Sequence, residues 1–147
     1  MKIRIFVFGT LLVSMIMLLS VGCREDEPGP ISVVNTVVPT RINSGDSSLW
    51  TIQVINDGGT VEIEKVHVLE ECIAGNDTGY SYECDLSGYD SIVAGHESEV
   101  IYSKAGLIYN TGPLDNDFRI TATVYSSGET ASDTANYTVK HSVFFIK

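Results

Sequence analysis

From Ile31 onward the chain has no stretch with helical periodicity, and that one absence constrains its fold more than any other feature. Short runs rich in Val, Ile, Thr and Tyr alternate with clusters of Gly, Asn, Asp and Ser. Alternation with period two places successive side chains on opposite faces, which is the pattern of half-buried strands separated by turns. Ile31 to Val38 is the first run, stopped by Pro39. Leu49 to Ile55 is the second, with Trp50, Ile52 and Val54 on one face and a tryptophan placed for the middle of a core. Asn56-Asp57-Gly58-Gly59 follows as a sharp turn, because Gly, Asn and Asp tolerate positive φ. In the third run, Thr60 to Glu70, Val61 and Ile63 are out of phase with Val66 and Val68. One extra residue near Lys65 restores the register, so a bulge is expected there. Ser91 to Val93, Glu99 to Lys104, Asp117 to Tyr125 and Thr134 to Val139 complete seven runs, and the series of Tyr137 can continue through Val143 and Phe145. Seven or so short strands with turns between them predict an all-β protein, an antiparallel β-sandwich.

The N-terminus is of a different kind. Met1-Lys2-Ile3-Arg4 is basic, Ile5 to Val21 carries no charge, and after Gly22-Cys23 the chain turns abruptly to Arg24-Glu25-Asp26-Glu27-Pro28-Gly29-Pro30. A positive start, an apolar middle and a small residue before the break are the parts of a secretory signal. About 20 apolar residues are needed to span a bilayer, and this run, interrupted by Gly9, Thr10, Ser14 and Ser20, is at the short margin.

Leu19-Ser20-Val21-Gly22-Cys23 resembles the lipobox of bacterial lipoproteins, with Ser20 where an aliphatic residue is usual. That resemblance implies cleavage before Cys23 and diacylglycerol on its thiol, with palmitate-type chains that each contribute about 0.8 kcal/mol per buried methylene. Arg24 followed by Glu25-Asp26-Glu27 resembles the export tag of surface lipoproteins in Bacteroidota, implying an outer-membrane anchor facing the medium, with a periplasm-facing orientation as the alternative. The expected organisation is a signal peptide over 1–22, a flexible acidic tether over 23–30 and a sandwich domain over 31–147.

With Cys23 assigned to lipid, Cys72 and Cys84 remain. An even remainder in an exported chain reads as a disulfide. It would close a loop rich in turn formers and contribute about 3 kcal/mol on the chain-entropy model. The body also resembles the immunoglobulin-like accessory domains of bacterial surface proteins, the CARDB type in particular. The resemblance lies in Ile52-Gln53-Val54-Ile55-Asn56-Asp57-Gly58-Gly59, in Val93-Ala94-Gly95-His96-Glu97-Ser98 and in the Phe118 to Val124 strand. It implies an immunoglobulin-like sandwich and no particular activity, since one sandwich hosts many functions.

Charge narrows the partners. The chain has 19 acidic and 9 basic residues, a net charge of -10. Lys2 and Arg4 lie in the leader, so the mature chain is more acidic still. Nucleic acid is disfavoured, because phosphate binding needs concentrated Lys and Arg. His67, His96 and His141 are scattered over different runs without a nucleophile motif, and read as solvated rather than catalytic. Glu70-Glu71 with Asp77, and Asp115-Asn116-Asp117, carry oxygen ligands of the kind calcium takes, but carboxylates in turns of so acidic a chain are expected to be solvated. No metal, cofactor or enzymatic activity is expected.

Tyr80, Tyr82 and Tyr89 around the cysteine loop, with Tyr109 in the long turn from Leu107 to Asn116, are the candidate ligand contacts. Exposed tyrosines combine a rigid apolar face with a hydrogen-bonding tip. The expected function is therefore a non-catalytic, lipid-anchored adhesion, envelope-assembly or ligand-binding module for a protein or glycan. The alternative is a small inhibitor of an extracellular protease that presents Asn110-Thr111-Gly112-Pro113.

Overall fold

The structure, a computed structural model, describes residues 28–141. The expected signal peptide, the lipidation residue Cys23 and the continuation through Val143 and Phe145 lie outside the described residues. Among the described residues nine strands follow one another without a helix: β1 (Ile31–Val38), β2 (Arg41–Asn43), β3 (Ser47–Asn56), β4 (Val61–Ala74), β5 (Ser81–Asp85), β6 (Ile92–Val93), β7 (Ser98–Leu107), β8 (Asn116–Ser126) and β9 (Glu129–Lys140). They form two sheets, β1-β3-β7 and β2-β9-β8-β4-β5, with β6 beside β4. Pairing is antiparallel throughout, apart from the three-residue parallel contact of β2 with β9. The chain changes sheet after β1, where the Val38–Pro39 peptide is cis. It crosses again between β2 and β3, between β3 and β4, between β6 and β7 and between β7 and β8. The fold is an all-β sandwich of two packed sheets.

Alternation builds the core as anticipated. Val33 and Val37 on β1, Ile52 and Val54 on β3, Val66 and Val68 on β4, and Ile120, Ala122 and Val124 on β8 all point between the sheets and are buried. The bulge lies at the expected place, where the β4–β8 register slips between Ile63 and Lys65. A second slip at Cys72/Ala74 turns the end of β4 away. The domain begins earlier than Ile31: Pro28 bridges to Gly59, and the Asp57 amide donates to the Pro30 carbonyl at 3.4 Å.

The Asn56–Gly59 turn has a different cause from the one expected. None of its residues has positive φ. Instead the buried Asn56 side chain holds it, accepting from the Gly58 amide at 3.0 Å and donating to the carbonyls of Gly59, Val93 and Ala94. The glycines serve close approach, since a Cβ on Gly95 would stand 2.8 Å from the Gly58 carbonyl oxygen.

The expected disulfide does not form, and both Cys72 and Cys84 are free thiols. The strand register explains this. Cys84 is opposite Val68, four residues along β4 from Cys72, which is roughly 13 Å at the rise of a strand. A disulfide requires Cα atoms within about 7 Å. Hydrogen bonds do the work expected of the covalent clip. Asn116 accepts from the amides of Asn76 and Asp77 and donates to the Asp77 carboxylate at 2.6 Å, while Asn76 bonds Leu114 in both directions. These bonds tie the β4–β5 loop to the β7–β8 loop. Without reductant, the unfolded domain should therefore take up two equivalents of maleimide on Cys72 and Cys84. Intact mass reads the result directly, and no uptake by either residue would restore the disulfide.

Candidate functional site

The two sheets part where their last strands, β5 and β7, face each other, and the space between them is lined by aromatic rings. Its geometry follows from register. Past the bulge, Val66, Val68, Glu70 and Cys72 share the inward face of β4. Tyr82 pairs with Glu70 and Cys84 with Val68, so β5 presents Tyr82 and Cys84 to the same side. From the opposite sheet, Trp50 pairs with Lys104 and Ser48 with Gly106.

A first cavity of about 280 Å³ lies among Trp50, Val68, Tyr82, Cys84 and Lys104. A second, of about 490 Å³, lies among Asp77, Tyr80, Leu107, Tyr109 and Phe118. Glu70, Ile108 and Tyr137 line both. Clefts of a few hundred Å³ with apolar walls and a few polar groups are the usual form of small-ligand sites.

Trp50, placed by the sequence in the middle of the core, is instead half-buried at the mouth of the first cavity. Its indole N–H donates to Asn35 Oδ1 at 2.7 Å, and its ring stands edge-on to Tyr102 at 5.2 Å. Asn35, itself buried, donates onward to the Ile120 carbonyl at 2.8 Å. The tryptophan is thus fixed from behind by a side chain spanning both sheets. In the second cavity Phe118 stacks on Tyr137 at 5.2 Å and meets Tyr80 edge-on at 6.5 Å. These three rings form a corner with two walls, and Tyr109 lines the cavity from the β7–β8 loop.

Glu70 is a carboxylate on the inward face, and its neighbours register the negative charge. Tyr137 donates its hydroxyl hydrogen to Glu70 Oε1. Burial raises the pKa of Tyr137, and the hydrogen bond to Glu70 adds to the rise. Tyr80 is also raised, by burial first and then by Glu70. Tyr82 is raised mainly through its hydrogen bond with Cys84. Burial pushes the Cys72 thiol up as well.

Of the four tyrosines singled out, three line this cleft, and Tyr80, Tyr82 and Tyr109 are all exposed. Tyr89 does not. It packs against the core and donates its hydroxyl to the Glu64 carbonyl at 3.1 Å. The sequence did not mark Trp50, Glu70, Phe118 or Tyr137 as cleft residues. The run Tyr80, Tyr82, Cys84, Leu86 at every second position was the signal for β5 that pointed there.

The histidines lie outside the cleft. His67 contacts Asp85 at 2.8 Å and Glu83 at 3.3 Å on the outer face. Hydrogen bonds from His67 and Lys65 hold the Asp85 carboxyl below its usual range. His141 bonds Asp115 at 2.7 Å and lowers that carboxyl likewise. His96 occupies a turn with φ of 57°. The acidic clusters are engaged within the protein: Glu71 with Arg119, Asp77 with Asn116, and Asp117 with Thr138. Among the described residues no group of three or more His, Cys, Asp or Glu could hold a metal ion. No described helix is long and apolar enough to cross a membrane.

Solved structures share this architecture. The sporulation control protein Spo0M of Bacillus subtilis matches with a TM-score of 0.53 and 11% identity, over 78% of this chain and 51% of its own. The alkylpurine DNA glycosylase AlkC of Pseudomonas fluorescens, bound to DNA containing an abasic site analog, matches with a TM-score of 0.51 and 13% identity, over 76% of this chain and 31% of its own. A CARDB domain from Pyrococcus furiosus, in complex with di-metal ions, has a TM-score of 0.42 and 17% identity, over 82% of this chain and 95% of its own. This chain therefore spans about half the length of Spo0M and about a third of the glycosylase. No family model matches the sequence, and no curated protein matches it. At such identities the likeness concerns the fold alone.

Proposed function

We propose that this chain is a non-catalytic binding module, held at the outer membrane surface by lipid on Cys23, whose ligand enters the cleft between β5 and β7. The observation that carries the reading is the cleft itself. Trp50, Tyr80, Tyr82 and Tyr109 are left accessible where a closed sandwich would bury its aromatics. The leader and the Leu19–Cys23 motif support the tether. Mass spectrometry of the membrane-extracted protein should give a chain that begins at acylated Cys23. The non-catalytic reading draws on the histidines: His67 bonds Asp85 and His141 bonds Asp115, and none of these four lines either cavity. A glycan is a ligand class that such aromatic walls accommodate. The protease-inhibitor alternative draws less support. Asn110 is buried and its side chain bonds the Leu114 and Val139 carbonyls, so of the turn it begins only Thr111 and Pro113 are exposed for presentation.

Immobilised protein should retain at least one component of a defined mixture of oligosaccharides, peptides and small amines. The double substitution Tyr80→Ala/Tyr82→Ala should abolish that retention while lowering stability by less than about 1 kcal/mol, because both rings are about half exposed. A large stability loss with retention intact would mark the rings as structural.

A further inference from the structure

Building on the binding role proposed above, we propose that the second cavity holds an organic cation, an alkyl- or quaternary ammonium group seated against Tyr80, Tyr109 and Phe118 with Glu70 and Asp77 as its counter-charges. The two cavities differ in charge. Lys104 lines the first, whereas the second is lined by two carboxylates and four aromatic rings and by no Lys, Arg or His. Among the described residues, no basic side chain forms an ion pair with Glu70 or Asp77. Glu70 is anchored at one oxygen by the Tyr137 hydroxyl, and Asp77 at one oxygen by Asn116.

Aromatic rings carry negative charge on their faces and attract a cation within about 6 Å of the ring centre. The Tyr80–Phe118 pair, inclined at 81°, offers walls in two directions, and Phe118 and Tyr137 stack behind it. A neutral ligand would use the walls and leave two carboxylates to be covered without a counter-charge, which is costly. An anion would meet both charges directly. A substituted ammonium uses every feature, since its alkyl groups contact the rings and its charge answers the carboxylates. A space of about 490 Å³ suits such a group on a small molecule or at the end of a lysine side chain.

Isothermal calorimetry with three probes tests the assignment: choline, its neutral isostere with carbon in place of the ammonium nitrogen, and Nα-acetyl-lysine N-methylamide. Choline or the lysine amide should bind about tenfold or more tighter than the isostere, a difference of about 1.4 kcal/mol. Whichever of the two binds tighter identifies a free small molecule or a lysine side chain as the source. Glu70→Gln keeps an oxygen to accept the Tyr137 hydroxyl hydrogen and removes only the charge, and Asp77→Asn does the same towards Asn116. Each should weaken binding of the cation about tenfold without affecting the isostere, and added salt should weaken it further. Equal binding of choline and its isostere overturns the cation assignment and leaves the cleft as a binding site. Binding of none of the three, with another compound of the mixture retained, has the same meaning. Retention of nothing at all removes both readings.

Discussion

Replacing Asn56 by alanine is expected to lower the stability of the domain by about 3 kcal/mol, the largest effect of any single polar substitution. Asn56 is 1% exposed, and its amide donates to three carbonyls at 2.8 to 3.3 Å while its oxygen accepts the Gly58 amide. Truncation leaves those groups buried and unpartnered, each at a cost of about 1–3 kcal/mol before relaxation. The bonds reach from the β3–β4 turn to the segment after β6, so the loss is of tertiary structure as well as of a turn. Asn56→Asp should be worse than alanine, because a carboxylate cannot donate and would face carbonyl oxygens. Urea titration followed by tryptophan fluorescence measures both variants. A loss under about 1 kcal/mol for alanine would mean that the turn holds without its side chain.

Asn35→Ala is the second substitution with a large expected effect, and it joins stability to the site. Asn35 is buried and connects the Trp50 indole on one sheet to the Ile120 carbonyl on the other. Its removal should cost about 2 kcal/mol, less than at Asn56, because Trp50 borders the cleft and water can reach its N–H. The same change frees the ring that lines the first cavity, so Trp50 fluorescence should shift to longer wavelength and broaden in the native state. Trp50→Phe removes the N–H and keeps a ring, and should cost less. A native-state emission identical to that of the parent in Asn35→Ala would show that Asn35 does not position the tryptophan.

Strands that alternate cleanly, such as Ile31–Val38 and Phe118–Val124, were legible from the sequence, and so was the bulge near Lys65, because a break in phase has few other remedies. β2 was not, since three residues between a proline and a Ser-Gly turn carry no measurable period. β5 was hidden by the reading of Cys72 and Cys84 as a covalent pair. Counting thiols in an exported chain gives parity, but only register gives distance, and here register sets Cys84 against Val68.

The site shows the same division. The exposure of Tyr80, Tyr82 and Tyr109 was legible because they lie in or beside turn-rich segments. Trp50 was assigned to the core because alternation says which face a residue occupies and nothing about where two sheets separate. Glu70 was read as a surface carboxylate. It follows Val66 and Val68 at the same period, and its inward direction appears only once the bulge has reset the phase.

The claim on which the function rests is that ligand enters the space between β5 and β7. Backbone amide shift mapping of the isotope-labelled domain against the defined mixture of oligosaccharides, peptides and small amines tests it most directly. The account predicts that the perturbed amides cluster at Trp50, at Glu70, over 80–84 and over 104–109. Perturbations confined to the outer face around His67 and Asp85, or to the Asn56–Gly59 end of the sandwich, would contradict it.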